Sequence, residues 1–218
     1  MVNIPNILTL VRLIAAPGVA LMFLYFTRPY ADWAALILFS LAAITDWFDG
    51  YLARLWKQES KLGAALDPIA DKAMVVIALL VITGFSGMNP WILLPATFIL
   101  FREVFVSGLR EFLGTDAGTL KVTSLAKFKT TAQMLAIAIL FGVGIFEHHL
   151  GMLTFGMDPA MVNGIISGEI EDVLGINFHR TGMQITWYVG VITLWIAAVL
   201  TMITGLDYFR KSLPFLRG

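Results

Sequence analysis

The chain has 218 residues, 58% of them hydrophobic and only 14% charged, and its mean hydropathy is +0.82. Soluble domains average about 25% charged residues, so the composition excludes an ordinary water-soluble globule. Fifteen Lys and Arg balance fifteen Asp and Glu, and the absence of cysteine excludes disulfides, thiolate chemistry and a Cys-based zinc site.

The first element is "NIPNILTL". It is too short to span a bilayer and is predicted to be an interfacial helix over residues 1–11, with Asn3 as a cap and Pro5 at its start. Six apolar runs follow: Leu13–Phe26, Trp33–Thr45, Ala73–Phe85, Trp91–Phe101, Met134–Phe146 and Trp187–Ile203. Most are too short to cross a core of about 30 Å at about 1.5 Å per residue. Each is therefore expected to continue as helix through polar residues at one end. The expected fold class is an all-α integral membrane protein with six transmembrane helices plus the N-terminal interfacial amphipathic helix, in one domain over 1–218. The segment 147–182 is expected to be an outer loop insertion. It carries all three histidines, His148, His149 and His179, read as interfacial residues and not as a metal site.

With the N-terminus in the cytoplasm, every Lys and Arg except Arg28 and Arg180 falls on a cytoplasmic end or loop. The positive-inside rule selects that orientation. Arg12, Asp46, Asp71, Arg102 and Gln133 then lie at a similar depth, about 10 Å beneath the cytoplasmic surface. Charges so placed must face the bundle interior, water or one another.

The stretch "TDWFDGYLARLWKQESKLGAALDPIADK" runs from Thr45 to Lys72. Asp46 and Asp49 are three apart, and Asp67 and Asp71 four apart, so each pair shares a helix face. The two helices are joined by a short turn around Lys57–Lys61, which lets four carboxylates converge. Unpaired, they would repel and take up protons. Divalent cations resolve this, and oxygen-only ligands point to Mg²⁺, Mn²⁺ or Ca²⁺. Two such ions can clamp a phosphoryl group during in-line displacement. A purely structural reading pairs the acids with Arg54, Lys57 and Lys72 instead. Gly50, Ala53 and Gly63 allow close approach of a helix or ligand, and Arg54 is placed to bind a phosphate. A later basic set comprises Arg102, Arg110, Lys121, Lys127 and Lys129. It also has a topological reading as positive-inside signals, strongest for Lys121, whereas Arg102 is too deep to be only a surface anchor. "KFKTTAQM" carries a polar face inward from Lys127 through Thr130 and Gln133. A metal cluster beside a basic pocket suggests two phosphorylated ligands.

These residues resemble the CDP-alcohol phosphatidyltransferase family. The signature D-x-x-D-G-x-x-A-R-x8-G-x-x-x-D-x-x-x-D is matched at every fixed position, from Asp46 to Asp71. "NIPNILTLVRL", "REVFVSGLRE" and "KFKTTAQM" are similar to bacterial members whose acceptor is glycerol 3-phosphate. The outer segment from Leu150 to Gly182 is longer than is usual there. The resemblance implies transfer of a phosphatidyl group from CDP-diacylglycerol to glycerol 3-phosphate, releasing CMP, with Mg²⁺ or Mn²⁺ as cofactor and two ions expected. It implies that Asp46, Asp49 and Asp67 hold the metals, with Asp71 touching one and serving as general base. It places Asp49, Gly50, Ala53, Arg54, Ser60 and Gly63 at the CDP-diacylglycerol site, with Asn6 and Thr9 reaching in from the N-terminal helix. Arg110, Lys127 and Lys129, supported by Arg102, are the expected acceptor-phosphate residues. The expected setting is a bacterial inner membrane among membrane lipids, as a monomer or homodimer, with the active site on the cytoplasmic side and no nucleic-acid partner. Two alternatives stand beside this: the same chemistry on another acceptor, such as inositol phosphate, serine or phosphatidylglycerol, and a cation channel or transporter. Against the second, the acids cluster toward one side only.

Overall fold

Backbone amides and carbonyls in lipid have no water to bond, so a spanning segment satisfies them internally as a helix. The computed structural model describes the backbone of residues 4–56, 61–114 and 125–216, and their side chains apart from residues 4, 5, 46–56, 61, 64, 126 and 127. The described residues form α1 (Ile4–Tyr25), α2 (Tyr30–Trp56), α3 (Lys61–Phe85), α4 (Pro90–Leu113), α5 (Leu125–Thr154), α6 (Pro159–Ser167) and α7 (Ile176–Leu216), with no strand among them.

Among the described residues, four helical stretches are long and apolar enough to cross a bilayer: Asn6–Tyr25, Pro90–Leu113, Phe128–Thr154 and Ile176–Leu216. Tyr30–Thr45 is a shorter apolar stretch. The membrane character is thus present, whereas the count of six spans is not reached by length and composition alone. Leu24, Val104 and Phe112 are about three-quarters exposed, as expected for side chains meeting lipid tails.

Two expectations are corrected. The N-terminal segment is not a separate interfacial helix from Ile4 onward, because α1 runs without interruption to Tyr25. Asn6, Thr9 and Arg12 recur every three residues and are all buried, so this face packs against the other helices. Segment 147–182 is not a loop over most of its length. The helix α5 carries His148 and His149 and continues to Thr154, α6 follows, and α7 begins at Ile176. Asp158 caps α6 by accepting from the Ala160 amide, Pro159 opens it, and Gly168 closes it in the left-handed conformation. The rings of His149 on α5 and His179 on α7 stack at 5.4 Å and 4°.

The helices α5 and α7 form the most extensive pair, α4 lies along α7, and α1 packs against both α2 and α3. Phe39, Leu79, Ile92, Ile99, Ile137 and Leu194 are fully buried between them. The buried polar face of α1 looks onto the acidic half of α3.

Candidate active site

One helical turn separates Asp67 from Asp71, which puts both carboxylates on the α3 face that α1 covers. The Thr9 hydroxyl donates to Asp67 Oδ1. Arg12 Nη1 donates to Asp71 Oδ1 at 2.9 Å, and its Nη2 lies 3.5 Å from Asp67 Oδ1. The Arg12 side chain is only 3% exposed, while those of Asp67 and Asp71 are 44% and 39% exposed. The two acids are therefore steadied from the buried side and open on the other. Behind Arg12 and Asp71 the packing leaves a void of about 10 Å³, room for one water at most.

Lys72 follows Asp71 directly and, at about 100° further round the helix, serves a different neighbour. Its Nζ donates to Ser107 Oγ on α4, and Ser107 in turn donates to the Glu103 carbonyl. The Glu103 carboxylate accepts from Lys129 Nζ on α5 and from Arg102 Nη1 at 3.0 Å. The side chains of Arg102, Glu103 and Lys129 are 13%, 12% and 8% exposed. Among the described residues, Lys72, Arg102 and Lys129 thus surround one carboxylate, a surplus of two positive charges. Thus α3 joins an acidic cluster and a basic cluster through the adjacent residues Asp71 and Lys72.

The floor of the basic cluster is α7. A Cβ at Gly205 would fall 2.8 Å from Arg102 Cγ, so glycine lets the arginine stem lie on the α7 backbone. One turn on, the Tyr208 ring underlies Arg110, with the guanidinium carbon 5.3 Å from the ring centroid. Gln133 Nε2 donates to Thr201 Oγ1 at 3.3 Å on the same face.

The structure therefore brings Thr9 and Asp67 together, and Arg102 with Lys129. Arg110 lies exposed over Tyr208. Asn6 is 4% exposed, Thr9 is fully buried, and Gly63 is buried near the start of α3. The side chains of Asp46, Asp49, Gly50, Ala53, Arg54, Ser60 and Lys127 lie outside the described residues. Sequence reasoning put Arg12 at the depth of Asp71 without pairing the two, did not link Thr9 to the acids, and passed over Glu103, Ser107, Gly205 and Tyr208. Glu103 alone had a local signal, a carboxylate beside a deep arginine. Lys72, offered as a structural partner for the acids, bonds to Ser107 instead.

No group of three metal-ligating side chains occurs among the described residues, a set without the Asp46 and Asp49 side chains. The donors that are described fit a hard divalent ion. They are two partly exposed carboxylates, one turn apart, with oxygen donors only.

The sequence profile of the CDP-alcohol phosphatidyltransferase family matches residues 2–166. The chain belongs to this family. Its relatives within the CDP-alcohol phosphatidyltransferases include the CDP-diacylglycerol–glycerol-3-phosphate 3-phosphatidyltransferase of Cereibacter sphaeroides, 65% identical over 217 residues, covering 99% of this chain and 97% of that protein. The proteins of the same name from Escherichia coli and Shigella flexneri are 41% identical over 156 residues, covering 70% of this chain and 85% of theirs. In this phosphatidyltransferase the signature acids with described side chains are Asp67 and Asp71, and they rest on Thr9 and Arg12.

Proposed function

We propose that this phosphatidyltransferase moves the phosphatidyl group of CDP-diacylglycerol to glycerol 3-phosphate, forming phosphatidylglycerophosphate and releasing CMP. The observation that carries this reading is the joining of two clusters at Asp71 and Lys72: a carboxylate pair beside a basic set with two surplus positive charges. That surplus matches the dianionic phosphate of the acceptor. The relatives named for this reaction support the choice of acceptor.

In the proposed mechanism the acceptor hydroxyl attacks the phosphorus that bears diacylglycerol. The bond from that phosphorus to the CMP oxygen breaks, and CMP leaves. Asp71 takes the hydroxyl proton, with Arg12 holding its carboxylate in place. Mg²⁺ or Mn²⁺, held by Asp67 and Asp71 with Asp46 and Asp49, would offset charge on the pyrophosphate and the departing CMP. Gly50, Ala53, Arg54, Ser60 and Gly63, with Asn6 nearby, would receive the nucleotide end of the donor. The Thr9 hydroxyl would act by fixing Asp67. Arg102, Lys129, Lys127 and Arg110 would hold the acceptor phosphate through charge-assisted bonds. The proposed setting is a bacterial inner membrane crossed by six spans, and the basic residues support placing the site on the cytoplasmic side.

The test is an acceptor panel with purified protein and CDP-diacylglycerol, reading CMP release. Glycerol 3-phosphate should release CMP well ahead of inositol phosphate, serine or phosphatidylglycerol. Equal or faster release with inositol phosphate would move the assignment to another acceptor. No release with any acceptor would favour an ion-conducting role.

A further inference from the structure

A second cavity, of about 350 Å³, lies at the other end of the bundle and shares no lining residue with the clusters described above. Its size falls within the range of small-molecule sites, about 300–1,000 Å³. From Arg12 the helix α1 runs about 20 Å at the helical rise to its end at Tyr25, three residues before Arg28 on the cavity edge. The walls are aromatic, formed by Phe23, Phe85, Phe141 and Trp187, and the polar edge carries Arg28, Asp32 and Glu147.

The charges on this edge are unequal in what remains of them. Arg28 grips Asp32 with a fork, Nε to Oδ2 at 2.8 Å and Nη2 to Oδ1 at 2.7 Å. Its guanidinium carbon also sits 5.5 Å from the Phe85 ring centroid. Asp32 is 2% exposed. The pair is seated against α5 at Gly144, where a Cβ would fall 1.9 Å from Arg28 Nη2 and 2.0 Å from Asp32 Oδ1. The position therefore requires glycine if the pair is to stay. Arg28 and Asp32 together are neutral. Glu147 is the charge left over. Its side chain is 61% exposed, and its contact with Arg28 Nη1 is 3.4 Å, long for a charge-assisted bond.

We propose that this cavity binds an amphiphile with a protonated amine head. The chain lies among the aromatic walls, and the ammonium meets the Glu147 carboxylate. Charge complementarity selects that head. An anionic head would face Glu147 with the Arg28 fork already engaged, and an alcohol would gain no ionic contact. Aromatic rings beside the carboxylate add a favourable surface for a cation. The same chemistry is available from a membrane lipid with an ammonium headgroup and from a free alkylamine.

The experiment uses the full chain reconstituted in neutral detergent with three dodecyl probes that carry a photoreactive diazirine in the chain: an amine, an alcohol and a sulfate. Crosslinks are mapped by peptide mass spectrometry. The amine should label peptides containing Phe141 and Trp187 above the other two, and Glu147→Gln should lower that labelling about two- to fivefold, toward the alcohol level, the range of a partly exposed ion pair. Gly144→Val, which displaces the Arg28–Asp32 pair, should lower it as well. Competition by an ethanolamine phospholipid would name a lipid as the source, and competition by dodecylamine alone would name a free amphiphile. Equal labelling by all three probes, strongest labelling by the sulfate, or an unchanged signal in Glu147→Gln would each overturn the proposal.

Discussion

Arg12 and Asp71 stand 59 residues apart in the chain and meet at 2.9 Å across the α1–α3 contact. The arginine is buried and the carboxylate is partly open, so the first helix sets the position of the carboxylate proposed as general base. Arg12→Ala should destabilise the protein by about 1.5–3 kcal/mol, the range for a hydrogen bond to a charged group. It should lower turnover more than Arg12→Lys, which keeps the charge and loses the fork. Thermal unfolding in detergent together with CMP release checks this. Wild-type unfolding and turnover in the alanine variant would remove Arg12 from any positioning role.

Exhaustive chelation should abolish CMP release, and Mg²⁺ or Mn²⁺ should restore it in the wild type. In Asp67→Asn the restoration should fail at any metal concentration, because the amide keeps an acceptor for the Thr9 hydroxyl and loses the charge a divalent ion needs. Full activity after chelation would refute metal dependence.

Glu103 offers the basic cluster an internal counter-ion, bonded to both Lys129 and Arg102. Removing it leaves cations without their carboxylate in a poorly solvated place. Glu103→Gln should therefore lower the unfolding temperature in anion-free buffer, and millimolar inorganic phosphate should recover most of the loss. The same phosphate should shift the wild type much less. Equal shifts in both proteins would show that Glu103 does not stand where an anion binds.

Arg110 lies over the Tyr208 ring on the exposed edge of the cluster. Arg110→Ala should raise the KM for glycerol 3-phosphate about tenfold, the lower end for an Arg–phosphate contact because the side chain is exposed. The KM for CDP-diacylglycerol should stay nearly constant. Tyr208→Phe should behave as wild type, since the buried Tyr208 hydroxyl has no hydrogen-bond partner among the described residues, whereas Tyr208→Leu should reproduce part of the Arg110 effect. A rise in the lipid donor's KM alone would place the acceptor on the other side of the metals.

Asp172 accepts from the Ile176 and Asn177 amides at the start of α7, both at 2.8 Å. These backbone bonds, with one from Gly175, hold its carboxyl below the ordinary value of 3.8. A depressed carboxyl contributes stability that is present above the unfolded value and is lost as pH falls through the folded one. Amide exchange at Ile176 and Asn177 should be slow at pH 5 and speed up, beyond its intrinsic pH dependence, as pH falls below the ordinary carboxyl value of 3.8. In Asp172→Ala it should be fast at both. Protection that ignores pH in the wild type would assign the helix start to other contacts.

The all-helical membrane class was legible because it rests on local rules. Apolar runs and sparse charge need no knowledge of which helix meets which. The same holds for the shared face of Asp67 and Asp71, a consequence of four-residue spacing. Helix α6 was also within reach, through the Asp158–Pro159 start and the Gly168 stop, although the greasy, glycine-rich stretch around it read as loop. What tertiary structure alone decided is the set of partners. The contacts of Thr9 with Asp67 and Arg12 with Asp71 depend on α1 packing against α3, and Arg102 and Arg110 find their floor at Gly205 and Tyr208 only because α4 lies along α7. Lys72 turns from the adjacent acid to Ser107 for a related reason. Successive residues on a helix point about 100° apart, so neighbours in sequence are handed to different helices, and the choice is made by packing across the bundle.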